Sequence, residues 1–157
     1  MNTKLTRQYT LIVFFQNLLL LFDILINCFY SFARNYSIEL LCIYVIQDFI
    51  LIVALTILLV NFFSTYVFRS GLIQLLYVRF RTTLVICVVY IILSISLHVW
   101  HMTIHWHQPL THYWTRGFHT LYTIQRTVSV IYYYLYKRAS LKIGDPRFYE
   151  SSIWLEK

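Results

Sequence analysis

Apolar residues run almost unbroken through four stretches of this chain, separated by short segments that hold most of the charge. A crossing of the roughly 30 Å hydrocarbon layer takes about 20 such residues in a helix. The pattern therefore predicts four spans, at Tyr9–Tyr30, Ile38–Phe68, Thr82–Trp100 and Gly117–Tyr136. The second is long for one crossing, which implies tilt, a kink or projection beyond the bilayer. The third has room to continue to Trp106. The expected fold is all-α and integral to the membrane: one domain, 1–157, forming an antiparallel bundle of four transmembrane helices followed by a cytosolic tail at 137–157.

Composition supports this and narrows it. Hydrophobic residues make up 59% of the chain and charged residues 12%, about half the charge of a soluble domain. Four spans consume about half of 157 residues and leave no space for a soluble domain. The net charge of +7 is not a nucleic-acid signature, because the basic residues flank apolar spans and form no patterned cluster. Lys4, Arg7, Arg69, Arg79, Arg81, Lys137, Arg138, Lys142, Arg147 and Lys157 all fall on one side of the predicted bundle. Only Arg34 and Arg116 fall on the other. That bias predicts both termini in the cytosol, where the cations meet anionic membrane lipid. Lys4 and Arg7 before an apolar run resemble a signal peptide, but no small-residue cleavage site follows, so the run reads as a retained first span.

The segment Arg69–Arg81 is amphipathic rather than a plain loop. Leu72, Leu75, Leu76 and Phe80 recur at helical spacing after Gly71, which reads either as a short interfacial helix or as an extension of the second span. Trp100, Trp106 and Trp114 bracket one loop, and Tyr132, Tyr133, Tyr134 and Tyr136 precede Lys137 and Arg138. Both groups read as aromatic belts at headgroup level.

Candidate chemistry is sparse. Asp23, Asp48 and Arg126 lie inside spans one, two and four. Each costs roughly 2.5–3.5 kcal/mol at a span centre, so they belong on the bundle interior, as a structural ion pair or as part of an ion pathway. If they pair, Arg126→Leu costs about 3–5 kcal/mol and retains the chain early in the secretory route. Asn17, Asn27, Gln47, Asn61 and Gln125 supply amides able to bond between helices. His98, His101 and His105 share a helix face, a spacing that suits zinc or pH sensing, yet no carboxylate stands near them in the sequence; no metal site and no cofactor are expected. His107, His112 and His119 read as polar residues at a membrane exit. Cys28, Cys42 and Cys87 form no CxxC spacing and read as free thiols, although Cys28 and Cys42 fall towards the same side. Asn35-Tyr36-Ser37 fits the glycosylation pattern. No nucleophile triad, phosphate loop or HExxH motif occurs, so no enzyme is expected.

The tail carries Gly144, Asp145, Pro146, Phe148, Tyr149 and Trp154. Gly144 suits a helix end and Asp145-Pro146 a turn, after which the segment is too apolar for free solution and reads as a docking element.

At these residues the chain resembles the transmembrane protein 138 family. The matching pieces are LLLLFDILINCF (18–29), VIQDF (45–49), FFSTYVFRSGLIQLLY (62–77), YIILSISLHVW (90–100), IQRTVSVIYYYLYKR (124–138) and IGDPRFYESSIWLEK (143–157). SISLHVW and the GDPxFYxxSxWL pattern are the most specific, since neither is required by spanning a membrane. The resemblance implies a four-span protein without catalysis, needed for cilium assembly at the transition zone or in ciliary vesicle traffic. It implies residence at the cilium, its base, and vesicle or vacuole membranes, and partners among other ciliary or transition-zone membrane proteins. The alternative from the residues alone is a small channel or transporter subunit using Asp23, Asp48 and Arg126.

Overall fold

A computed structural model describes residues 3–29, 36–64, 73–106 and 116–143. It holds four helices: α1 (Thr3–Phe29), α2 (Ser37–Ser64), α3 (Ile73–His105) and α4 (Arg116–Ile143). Helix is what this composition permits in hydrocarbon, where each backbone N–H and C=O must find its partner within the segment. No proline falls within the four described helices, and the one glycine in them, Gly117, stands at the start of α4. Glu39 occupies the first turn of α2 and Lys142 the last turn of α4, each where the helix dipole favours its charge.

The helices alternate in direction. Gln16 meets Ser140, Asp23 meets both Gln47 and Tyr133, Asp48 meets His98, and Ser94 meets Gln125. Those pairings make every sequential neighbour antiparallel and close the ring between α1 and α4. The start of α1 and the end of α4 share one end of the bundle. At the other end the Ser37 hydroxyl donates to the carbonyl of Trp106 across 3.1 Å, tying the start of α2 to the end of α3.

Each helix buries a stripe at alternating spacings of mainly three and four residues. On α2 it is Leu40, Tyr44, Gln47, Leu51, Ala54, Leu58 and Phe62; on α3 it is Phe80, Thr83, Cys87, Tyr90, Ser94, Leu97 or His98, and His101. Gln125, Ser129, Tyr132, Tyr136 and Ala139 continue the pattern on α4, and Gln16, Leu19 and Asp23 on α1. This is the seam of a left-handed bundle. Its composition departs from that of a soluble protein: Gln16, Asp23, Gln47, Ser94 and Gln125 face inward, while Leu11, Phe14, Phe49, Val60, Ile92 and Val130 face out. Lipid tails are as apolar as leucine, so burial of apolar surface alone does not select the inner face; packing and hydrogen bonds do.

Three helices contain segments long and apolar enough to cross a membrane: Thr10–Phe29, Ser37–Phe63 and Phe80–Ile104. The fourth, α4, matches them in length but is more polar, with Gln125 and Arg126 near its middle.

Two boundaries differ from the sequence reading. Residues 73–81 form neither a separate interfacial helix nor an extension of the second span. They are the first turns of α3, which runs unbroken for 33 residues, or about 50 Å. The cause is visible at Phe80, which is 4% exposed and packs edge-on against Phe62 of α2, ring centroids 6.0 Å apart. Phe80 thus continues the buried stripe of α3. α4 likewise continues past Tyr136 to Ile143, so the tail's first residues are helical.

A buried polar core between the four helices

The centre of the bundle is organised by Asp23. Gln47 of α2 donates to its Oδ1 at 2.7 Å, while Tyr90 of α3 and Tyr133 of α4 donate to Oδ2 at 2.9 and 2.8 Å. Asn27, one turn along α1, sends its amide Nδ2 to both tyrosine hydroxyls at 2.8 Å, with a longer 3.4 Å contact to Asp23. The proton count closes: two amide hydrogens reach two phenol oxygens, and two phenol hydrogens reach one carboxyl oxygen. Asp23 is 1% exposed and Tyr90 fully buried, so the low dielectric strengthens every one of these bonds.

Arg126 reaches the same residue from the other side. Its guanidinium donates to the backbone carbonyl of Asn27 at 2.7 Å and lies 5.0 Å from the centre of the Tyr122 ring. Asp23 and Arg126 are therefore joined through Asn27 and not by a salt bridge. Asp48 is engaged elsewhere: its Oδ1 meets Nδ1 of His98 at 2.9 Å. The three membrane charges gather in one region but do not form the direct ion pair that the sequence suggested. Loss of Arg126 removes at least its bond to the Asn27 carbonyl and the cation beside Tyr122.

The Asp48 contact also corrects the reading of the histidines. No carboxylate is near His98 in sequence, but α2 brings one across the helix interface. Tyr44 completes the cluster, with its ring stacked on His98 at 4.1 Å and 10° and its hydroxyl 3.3 Å from Nδ1 of His101. Asn27, Tyr44, Gln47, His98, His101 and Arg126 line a cavity of about 20 Å³, which holds about one water molecule. The side chains of His105, His107 and His112 lie outside the described residues, and His119 stands on α4. Among the described residues, no group of three His, Cys, Asp or Glu side chains converges as a metal site would require.

Two further polar contacts extend the core along the bundle. Ser140 donates to Oε1 of Gln16 at 2.6 Å, and Tyr136 donates to the carbonyl of Ala54 at 3.0 Å. The Nε2 of Gln16 and the Oε1 of Gln125 are buried without a hydrogen-bond partner among the described residues. Of the predicted amides, Asn17 bonds only back to Val13 on its own helix.

The tyrosine belt reading is corrected in part. Tyr132 and Tyr136 are 3% and 1% exposed, and Tyr133 serves Asp23; of the four, only Tyr134 faces outward, at 63%. Tyr132 is held inside by stacking on Tyr90, ring centroids 4.5 Å apart. Sequence reasoning missed Tyr90 and Tyr133 as site residues. The available signal was their position on the seam spacing, at which a phenol tip in mid-span needs an acceptor. Trp100 and Trp106 are partly exposed, as anchors should be. Cys28 and Cys42 are exposed free thiols and Cys87 a buried one. Gly144, Asp145, Pro146, Phe148, Tyr149 and Trp154 lie outside the described residues, as does Asn35 of the glycosylation pattern.

Comparison with known proteins gives one consistent answer. The family model for Transmembrane protein 138 matches residues 40–157. Transmembrane protein 138 of Mus musculus is 41% identical over 152 residues, covering 97% of this chain and 94% of its own. The Xenopus tropicalis protein of that name is 43% identical over 150 residues (96% and 93%), and the Danio rerio protein 40% over 150 residues (96% and 93%). No solved structure matches. Likeness of this extent, running through every helix that builds the polar core, makes the chain a member of the Transmembrane protein 138 family.

Proposed function

We propose that this chain is a four-span, non-enzymatic membrane protein that serves cilium assembly through contacts with other ciliary or transition-zone membrane proteins. Its place in the cell is the ciliary base and the vesicles that supply it, with both termini in the cytosol. The ciliary role follows from the family resemblance. The observation that carries the non-catalytic, non-conducting reading is the closure of the polar core. Asp23 receives donors from α2, α3 and α4, Asn27 of α1 backs both phenols, and the neighbouring cavity has room for about one water. Such a core holds the helices together and, among the described residues, supports a packed layer rather than a channel.

Support for a fourth span comes from the outward hydroxyls. Thr123 and Thr127 of α4 each donate to the carbonyl four residues back on their own helix. Thr56 of α2 and Ser96 and Thr103 of α3 do the same. In lipid no other acceptor is at hand, and α4 treats its surface as the apolar spans treat theirs. The concentration of basic residues at the end shared by both termini supports their cytosolic placement.

The test is localisation of a tagged chain in ciliated cells, with and without Ile143–Lys157. Enrichment at the ciliary base that requires this segment is the expected result. A signal spread evenly over other membranes and indifferent to truncation overturns the ciliary reading.

A further inference from the structure

We propose that the cleft between α3 and α4, at the end of the bundle shared by the chain termini, is a binding site for the phosphate headgroup of an anionic phospholipid. The cleft is a cavity of about 350 Å³ whose lining includes Phe80, Thr82, Thr83, Leu135, Arg138 and Lys142. That volume is at the lower end of the range for small-ligand sites and admits a phosphate with its glycerol.

Charge, depth and shape agree on the ligand. Arg138 and Lys142 stand one helical turn apart and face the same cleft. Thr82 and Thr83 add hydroxyls from α3, and among the described residues no acidic side chain lines the cavity. Arginine offers paired N–H donors that match two phosphate oxygens, and lysine adds a mobile point charge. The depth is that of a headgroup: the apolar segment of α3 begins at Phe80, so the cations lie at its boundary. Below them the surface turns apolar. Leu135 lines the cleft, and one turn deeper Val85 and Ile131 are 52% and 44% exposed, a path for an acyl chain. A free phosphate ion uses the cations but gains nothing from this lower half, which favours a lipid as the source of the phosphate.

This inference rests on the four helices lying in a bilayer. It fails separately from the ciliary reading, because lipid retention is measured on purified protein and localisation in cells.

The experiment is native mass spectrometry of the full chain in nonionic detergent, titrated with phosphatidylglycerol, with phosphatidylcholine of the same acyl chains, and with glycerol 1-phosphate. Phosphatidylglycerol is expected to be retained about tenfold better than phosphatidylcholine, and glycerol 1-phosphate not to compete. Arg138→Gln and Lys142→Gln are each expected to weaken phosphatidylglycerol retention about fivefold. Lys137→Gln removes the same charge from a residue that does not line the cleft and is expected to change retention by less than about twofold. Thr82→Phe fills the cavity without changing charge and is expected to abolish the preference between the two lipids. Equal losses from Lys137→Gln and Arg138→Gln overturn the site in favour of a diffuse surface charge. Competition by glycerol 1-phosphate overturns the lipid as its ligand. Retention that emerges only after residues 144–157 are removed overturns it in favour of the chain's own tail as occupant.

Discussion

Tyr133 donates its phenolic proton to Asp23 across 2.8 Å, joining the last helix to the first over 110 positions of sequence. Asp23→Leu leaves this donor, Tyr90 and Gln47 without their buried acceptor, at about 1–3 kcal/mol for each orphaned group. The expected loss exceeds about 3 kcal/mol. Tyr133→Phe removes one bond, worth about 0.6 kcal/mol on average between membrane helices and up to about 1.7. Denaturation of the purified variants in detergent reads both. A double-mutant cycle of Asp23→Leu with Tyr133→Phe should show coupling above about 0.5 kcal/mol. Additive losses would mean that the two residues do not share a bond.

Arg126→Leu takes away the donor to the Asn27 carbonyl and the cation beside Tyr122. For these two contacts the expected loss is about 1–2 kcal/mol, enough to slow exit from the early secretory route without abolishing it. Arg126→Lys keeps a donor and should recover part of the surface level. Quantifying surface and intracellular pools of the two variants decides the point; identical retention of both contradicts it.

Asp48→Asn preserves a side-chain oxygen opposite His98 and removes the negative charge. The bundle should fold, and proteoliposomes carrying the variant should show the same ion and proton flux as the parent chain, at background. A parent flux above background that the substitution abolishes restores the transporter reading. Asp48→Leu, which also removes the acceptor, should destabilise the α2–α3 contact by about 1 kcal/mol.

Cys87 is 1% exposed, whereas Cys28 and Cys42 are exposed on the outer faces of α1 and α2. A membrane-permeant maleimide should add to Cys28 and Cys42 in the folded protein and reach Cys87 only after denaturation. Intact-mass measurement counts the adducts. Early modification of Cys87 would show that the α3 stripe does not face the seam.

The helices were legible in the sequence because length and apolarity suffice to define a membrane segment. Their rotation was not. In a soluble helix the apolar stripe marks the inside, but here Phe14, Phe49 and Val130 face outward and Gln16, Gln47 and Gln125 face inward. Hydropathy therefore carries little information about facing. The charged members of the core stood out, since Asp23, Asp48 and Arg126 are rare within spans. Their partners did not: Tyr90 is one tyrosine among 14, and Tyr133 sits in a YYY run that composition assigns to the membrane surface. His98 and Asp48 are 50 positions apart, and only the crossing of α2 and α3 makes them neighbours. The continuity of α3 through Arg79 and Arg81 was hidden for a related reason. Two arginines mark a segment at headgroup level, apart from the third span, until Phe80 between them is seen to fill the seam against Phe62.

The four-sided enclosure of Asp23 also sets an order of events during synthesis. α1 enters the bilayer first, carrying a carboxyl group whose only donor on its own helix is Asn27, at 3.4 Å. Gln47 arrives with the second helix, Tyr90 with the third, and Tyr133 with the last. Until α4 is in place, the Asp23 carboxyl lacks the Tyr133 donor and one side of its enclosure. A chain broken anywhere before Tyr133 is expected to leave this carboxyl incompletely covered, so the first helix depends on the last for the full burial of its aspartate.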